Sequence, residues 1–244
     1  MDNAVISFPI LGESFSVDPP RYFTVFGHNV YWYGVIIAVG FILGVLYTMK
    51  RAKDFGITSD NVIDMLLIAT PLSIIGARLY YVIFNPENYF GPGKWINIVK
   101  IWEGGIAIYG AVIFAVLGVL IYSRVSKKPF LSILDVGSLG LLIGQMIGRW
   151  GNFINREAYG AETDIFCRMG LTLNGNTVYV HPTFLYESIW NLIGFIILHH
   201  QVLYLVRRVI YRQLERDNTI ATAYTDQTIH ERVFTRRQIG QLVG

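Results

Sequence analysis

Residues 31–49 read YWYGVIIAVGFILGVLYTM, nineteen positions without one charged side chain. A membrane-spanning helix needs about 20 mostly apolar residues, and this run supplies them. Four more runs follow: Val62–Phe84, with Asp64 near one end and Arg78 toward the other; Ile106–Tyr122, opened by EGG; Leu134–Trp150; and Phe184–Val206, with Glu187 one turn in. Together they predict an all-α fold, a polytopic integral membrane helical bundle with about five transmembrane helices within residues 1–206. Composition agrees, because 15% of the 244 residues are charged where a soluble chain carries about 25%.

Charge narrows the class further. A formal net charge of +3 is too small to mark a nucleic-acid partner, so the placement of the basic residues matters more than their sum. Lys50, Arg51, Lys53, Arg124, Lys127, Lys128, Arg207, Arg208, Arg212 and Arg216 fall on one side of the predicted spans; Arg21, Lys94, Lys100, Arg156 and Arg168 fall on the other. Cytoplasmic loops are the basic ones, so the N-terminus is expected outside and residues 207–216 inside. Trp32, Trp95 and Trp102 then lie at the outer interface, which aromatic rings favour. Residues 1–20 contain no Lys or Arg, so no cleavable signal is expected and the first span stays in the mature protein. The single cysteine, Cys167, excludes an internal disulfide and a cysteine-cluster metal site, and reads as a small hydrophobe.

An ionisable residue inside a span costs a few kcal/mol on insertion scales and needs a reason to be there. On the predicted topology these residues share one depth: Arg78, Glu103 and Tyr109, then Arg149, Asn152, Asn155 and Glu157, then His181 and Glu187. The fourth span is the most informative. Gly137, Gly140, Gly144, Gly148 and Gly151 recur at helical spacing and predict a bare face for close approach of a neighbouring helix. Gln145, Arg149 and Asn152 follow on an adjacent face. Arg149 has two readings: a permanently charged fork for phosphate or carboxylate, or a snorkelling side chain paired with Glu157 or Glu187. The fifth span repeats the design with Thr183, Glu187, Asn191 and Gly194. His181 reads as a base or as a local hydrogen-bonding residue before Pro182. Gly104 and Gly105 allow close backbone approach to a ligand or to a packing neighbour, and no specific task is expected of His199 and His200.

The phrase GRWGNFINREAYG (148–160), with EGGIAIYG (103–110), HPTFLYE (181–187), GARLYYVIF (76–84) and VYWYG (30–34), resembles the bacterial prolipoprotein diacylglyceryl transferases. The motifs run in family order across residues 20–200. The resemblance implies a multi-pass enzyme of the bacterial cytoplasmic membrane that acts at the outer leaflet without metal or cofactor. It implies transfer of a diacylglyceryl group from phosphatidylglycerol to the lipobox cysteine of prolipoprotein signal peptides, with membrane lipid as the other partner. By motif, Arg149 matches the essential arginine, and Asn152, Asn155, Glu157 and Gly160 the rest of its signature. Tyr33 matches the tyrosine opening the first span and Glu187 the acid after the HP pair. Arg149, Tyr109 and Glu157 are the expected catalytic groups. Arg149, Asn152, Asn155, Gly160, Tyr33, Arg78, Glu187, His181, Gly104 and Gly105 are the expected substrate-binding ones.

Two departures qualify what the resemblance implies. Many members carry a His where this chain has Tyr109, and a phenol is a poor base at neutral pH, so Tyr109 is expected to donate a hydrogen bond. The family continues with further spans and a second important arginine. Residues 207–244 contain no apolar run long enough to cross a bilayer and read as a polar, basic tail, cytoplasmic or disordered. That points to a truncated or frame-shifted member with little activity as the alternative to a working transferase. A small-molecule transporter is the remaining rival, disfavoured because the chain shows neither an internal repeat nor midplane charge.

Overall fold

The computed structural model describes residues 4–12 and 14–216, with residue 203 and residues 205–216 through their backbone alone. These residues form two compact units, one of residues 4–47 with 138–216 and one of residues 48–137. In chain order come strands β1 (Val5–Ser7), β2 (Ser16–Val17), β3 (Tyr22–Val25) and β4 (His28–Tyr31), then helices α1 (Trp32–Arg51), α2 (Ser59–Phe84), a one-turn α3 (Pro86–Tyr89), α4 (Ile108–Ser126) and α5 (Phe130–Asn155). Strands β5 (Met169–Leu173) and β6 (Asn176–Val180) precede the last helix, α6 (Thr183–Arg216).

Among the described residues four helices are long and apolar enough to cross a membrane: Trp32–Phe55, Ser59–Phe84, Ile108–Ser126 and Phe130–Asn155. They cover the first four expected spans. The fifth, Phe184–Val206, is helical as the first part of α6, where Glu187, Asn191, His199, His200 and Gln201 make it less apolar than the others. The expected tail divides: residues 207–216 continue α6, and residues 217–244 lie outside the described residues.

In the first unit α1 lies against α5 through facing glycines. A methyl group on Gly44 would sit 2.5 Å from the Gly140 carbonyl oxygen, and one on Gly40 3.1 Å from that of Gly144. Gly148 meets Ile37 and Gly151 meets the Tyr33 ring in the same way. The bare face expected on this helix is therefore occupied by α1 at Gly140, Gly144, Gly148 and Gly151, while Gly137, the first glycine of the series, has nothing within 4 Å of an added methyl. In the second unit α2 and α4 are equally close, for a methyl on Gly110 would meet the Gly76 carbonyl oxygen at 2.2 Å. Without a hydrophobic drive between helices in lipid, such contacts supply the packing. α2 opens with a capping box, in which the Asn61 N–H donates to Thr58 Oγ1 (3.3 Å) and the Thr58 N–H to Asn61 Oδ1 (3.1 Å).

The all-α expectation is incomplete outside the spans. A four-stranded antiparallel sheet in the order β2-β1-β5-β6 buries Ala4, Ile6, Met169, Leu171, Val180 and Phe184. β5 and β6 join through Asn174-Gly175, both at positive φ (+52° and +81°), as the tightest hairpin turn requires. β3 and β4 form a separate hairpin directly before α1.

Candidate active site at the end of α5

Arg149 sits in the last turns of α5 with its side chain about one third exposed. Its Nη2 forms an ion pair with Glu187 Oε2 of α6, and its Nη1 donates to Asn152 Oδ1 at 3.4 Å. The pairing with Glu187 is one of the two readings open from sequence, and here one arm of the guanidinium fork meets that carboxylate while the other donates to Asn152. Asn152 Nδ2 donates in turn to Glu157 Oε1 (3.0 Å), which also accepts from Asn155 Nδ2 (3.4 Å). Five polar side chains from α5, the turn after it and α6 thus form one connected cluster. Asn155 Oδ1 is buried without a hydrogen-bond partner among the described residues.

Local packing sets this register. Ser188, the neighbour of Glu187, accepts from Trp150 Nε1 (3.2 Å) and donates to the Met146 carbonyl (2.9 Å), tying α6 to α5 beside the ion pair. The Trp150, Phe153 and Phe184 rings lie 4.8–6.0 Å apart just below. Beyond α5 the chain turns sharply. Arg156 (φ +54°) and Ala158 (φ +51°) flank Glu157 in the left-handed region, which non-glycine residues occupy at a cost of order 1–3 kcal/mol and which clusters at functional sites.

Arg156, which the sequence reading used only in the charge count, is what holds that turn. Its side chain is 2% exposed. Nε donates to the Ala4 carbonyl (2.9 Å), Nη1 to that of Ile154 (2.6 Å), and Nη2 to Asp18 Oδ1 (2.6 Å) and the Pro19 carbonyl (3.0 Å). Burial holds its pKa below the usual arginine value, and the Asp18 carboxylate offsets only part of that. Three of its four partners lie 137–152 residues away in sequence, and three of the four are backbone oxygens, so no side-chain pattern announces them.

The other nominated residues of this unit make contacts of their own. Tyr33 packs its ring on Gly151, and Gly160 runs so close to His181 that a methyl there would meet His181 Cβ at 2.7 Å. His181 bonds locally: its Nδ1 lies 3.3 Å from Tyr186 Oη, which lies 3.4 Å from Cys167 Sγ, and its carbonyl accepts from the Gly160 N–H (3.0 Å). That matches the local reading of His181.

Arg78, Gly104, Gly105 and Tyr109 belong to the second unit. Arg78 is 5% exposed. Its Nε donates to the Ile98 carbonyl, Nη1 to those of Gly104 and Gly105, and Nη2 to those of Asn97 and Lys100, at 2.5–3.2 Å. All three nitrogens are engaged with backbone, so this arginine shapes the 97–105 loop and has no face left for a phosphate. Gly104 (φ +85°) and Gly105 (φ +74°) aim their carbonyls at it. Of their two readings from sequence, the structure displays the packing one. Tyr109 stands 70% exposed at the start of α4, its ring 6.2 Å from that of Tyr80.

The fold and this cluster define a class: a polytopic helical membrane protein with a charged, amide-rich site where two of its helices meet a β-sheet cap. Within that class, residues 20–235 match the family model described as prolipoprotein diacylglyceryl transferase, and the chain belongs to that family. A phosphatidylglycerol–prolipoprotein diacylglyceryl transferase of Oceanobacillus iheyensis is 43% identical over 180 residues, covering 69% of this chain and 62% of the relative. One of Listeria monocytogenes serotype 4a is 48% identical over 178 residues (70% and 64%), and one of Clostridium botulinum strain Langeland 46% over 182 residues (71% and 70%). The chain thus spans about two thirds of the length of the curated relatives it matches.

Proposed function

We propose that this protein transfers a diacylglyceryl group from phosphatidylglycerol to the thiol of a lipobox cysteine in a prolipoprotein, at the outer leaflet of the bacterial cytoplasmic membrane. The observation that carries the reading is the Arg149 cluster, because every member falls on the family's GRWGNFINREAYG and HPTFLYE motifs and the side chains are in mutual contact. In the proposed step the thiol gives up its proton, and the thiolate attacks the glycerol carbon that bears the phosphate ester. A C–S bond forms, the C–O bond breaks, and glycerol phosphate leaves with the electron pair. Arg149 faces the growing charge, and exchange of its Glu187 partner for the phosphate keeps the guanidinium paired throughout. Glu157, exposed and held by two asparagines, is the proton acceptor the geometry offers. Tyr33, Gly160 and His181 are assigned to substrate binding by their places in the family's motifs.

The test is release of glycerol phosphate from phosphatidylglycerol, driven by a lipobox peptide, by the full-length protein in detergent. Arg149→Lys keeps the charge and loses the planar fork, and is expected to lower turnover on the order of 100-fold or more. Near-normal turnover by Arg149→Lys would remove Arg149 from the proposed role.

A further inference from the structure

The β3–β4 hairpin takes no part in the Arg149 cluster, and its composition is unusual for an exposed element. Residues 22–31 read YFTVFGHNVY, without Asp, Glu, Lys or Arg. The pairing Tyr22↔Tyr31, Phe23↔Val30, Thr24↔Asn29 and Val25↔His28 sorts the side chains onto two faces. One face holds the two tyrosines and Thr24, whose Oγ1 donates to Asn29 Oδ1 at 3.1 Å. The other holds Phe23, Val25 and Val30 beside His28, and between the strands stands Phe26, 98% exposed.

Phe26 is the costly choice at that place. It adopts φ +49° ahead of Gly27 at φ +81°, the two-residue turn in which Asn or Gly normally takes the first position. An aromatic ring is therefore kept at the apex against the backbone preference and against water. The base of the hairpin is fixed to a membrane span. Tyr31 leads directly into Trp32, the first residue of α1; the Trp32 N–H donates to the Arg21 carbonyl at 3.0 Å, and the Phe23 and Trp32 rings lie 4.9 Å apart. Four strand residues reach roughly 13 Å, so the apex stays within that distance of the first turn of α1.

We infer that this hairpin lies along the membrane surface with its Phe23–Val25–Val30 face toward the acyl chains, and that Phe26 is inserted into lipid as an anchor at the N-terminal end of α1. Continuity with the span selects lipid as the occupant. The amphipathic sorting matches the interface, where aromatic rings sit with one side apolar and the other wet. The inference is independent of the transfer reaction.

The test uses the full chain reconstituted in phosphatidylcholine–phosphatidylglycerol vesicles whose lipids carry bromine at graded depths. Phe26→Trp adds one tryptophan to the five present, and the difference in emission from the parent protein isolates it. The expected result is blue-shifted added emission, quenched by bromolipid and shielded from aqueous acrylamide. Quenching by acrylamide without quenching by bromolipid would place the apex in water and overturn the inference. Shielding from both would mean that protein covers it, and would overturn it equally. A nitroxide on Phe26→Cys in a Cys167→Ser background, read by oxygen against nickel-chelate accessibility, decides the same question should the tryptophan variant fail to fold. Phe26→Asn, the residue the turn prefers, is expected to keep the unfolding midpoint while weakening lipid protection of the neighbouring Phe23→Trp.

Discussion

Arg149 and Arg156 stand seven residues apart and show what sequence reveals about a charged side chain. Arg149 was legible because its neighbours at helical spacing, Asn152 and Asn155, are themselves polar in an apolar setting, and because Glu187 opens another span. Arg156 was not, since three of its four partners lie near the N-terminus and two of those three are backbone carbonyls. The consequence is testable. Arg156→Ala removes donors from three backbone oxygens and one carboxylate at once, and hydrogen bonds to charged groups contribute about 1.5–3 kcal/mol each, not additively. Loss on the order of 3 kcal/mol is expected, read as a lower unfolding midpoint in detergent. Asp18→Asn should lose much less, because Asp18 is 65% exposed and keeps its solvation. Equal losses from the two substitutions would show that the Asp18 charge, and not the backbone oxygens, is what Arg156 serves.

Helix periodicity made the four long helices and the bare face of α5 legible, while the partner of that face depended on tertiary structure. The facing pairs Gly40–Gly144 and Gly44–Gly140 now assign it to α1. Gly44→Ala would drive a methyl to 2.5 Å from a backbone oxygen, and overpacking of this kind costs about 1–3 kcal/mol. Gly137→Ala is the matched control, with nothing within 4 Å of the added carbon and a gain in helix propensity of up to about 1 kcal/mol. The expected order of unfolding midpoints is therefore Gly137→Ala at or above the parent and Gly44→Ala below it. A Gly44→Ala protein as stable as the parent would mean that the two helices separate at little cost. The strands were harder to read, although Asn174-Gly175 is a strong hairpin signal. Their runs are five residues or shorter, and β1 pairs with β5 across more than 150 residues of chain, so local pattern could not announce the sheet.

At the scale of the molecule, the apolar runs are what made the spans legible, and the basic residues between them carry the orientation proposed above through the positive-inside bias. On that proposal the β-sheet cap and the Arg149 cluster lie outside and residues 207–216 inside. Cys167 is a native probe for the first assignment: it lies in the stretch between α5 and β5, half-buried, with a weak contact to Tyr186 at 3.4 Å. In intact cells a membrane-impermeant maleimide is expected to modify Cys167. The same reagent should leave Gln213→Cys in a Cys167→Ser background unmodified until the membrane is permeabilised. Half-burial slows labelling without depending on sidedness, so permeabilised cells supply the reference rate for each position. If Cys167 reacts only after permeabilisation while the cysteine at 213 reacts before it, the orientation is inverted. A thiol-bearing signal peptide emerging from the cytoplasm would then meet the wrong face of the membrane, and the outer-leaflet transfer proposed for the Arg149 cluster would fall with the topology.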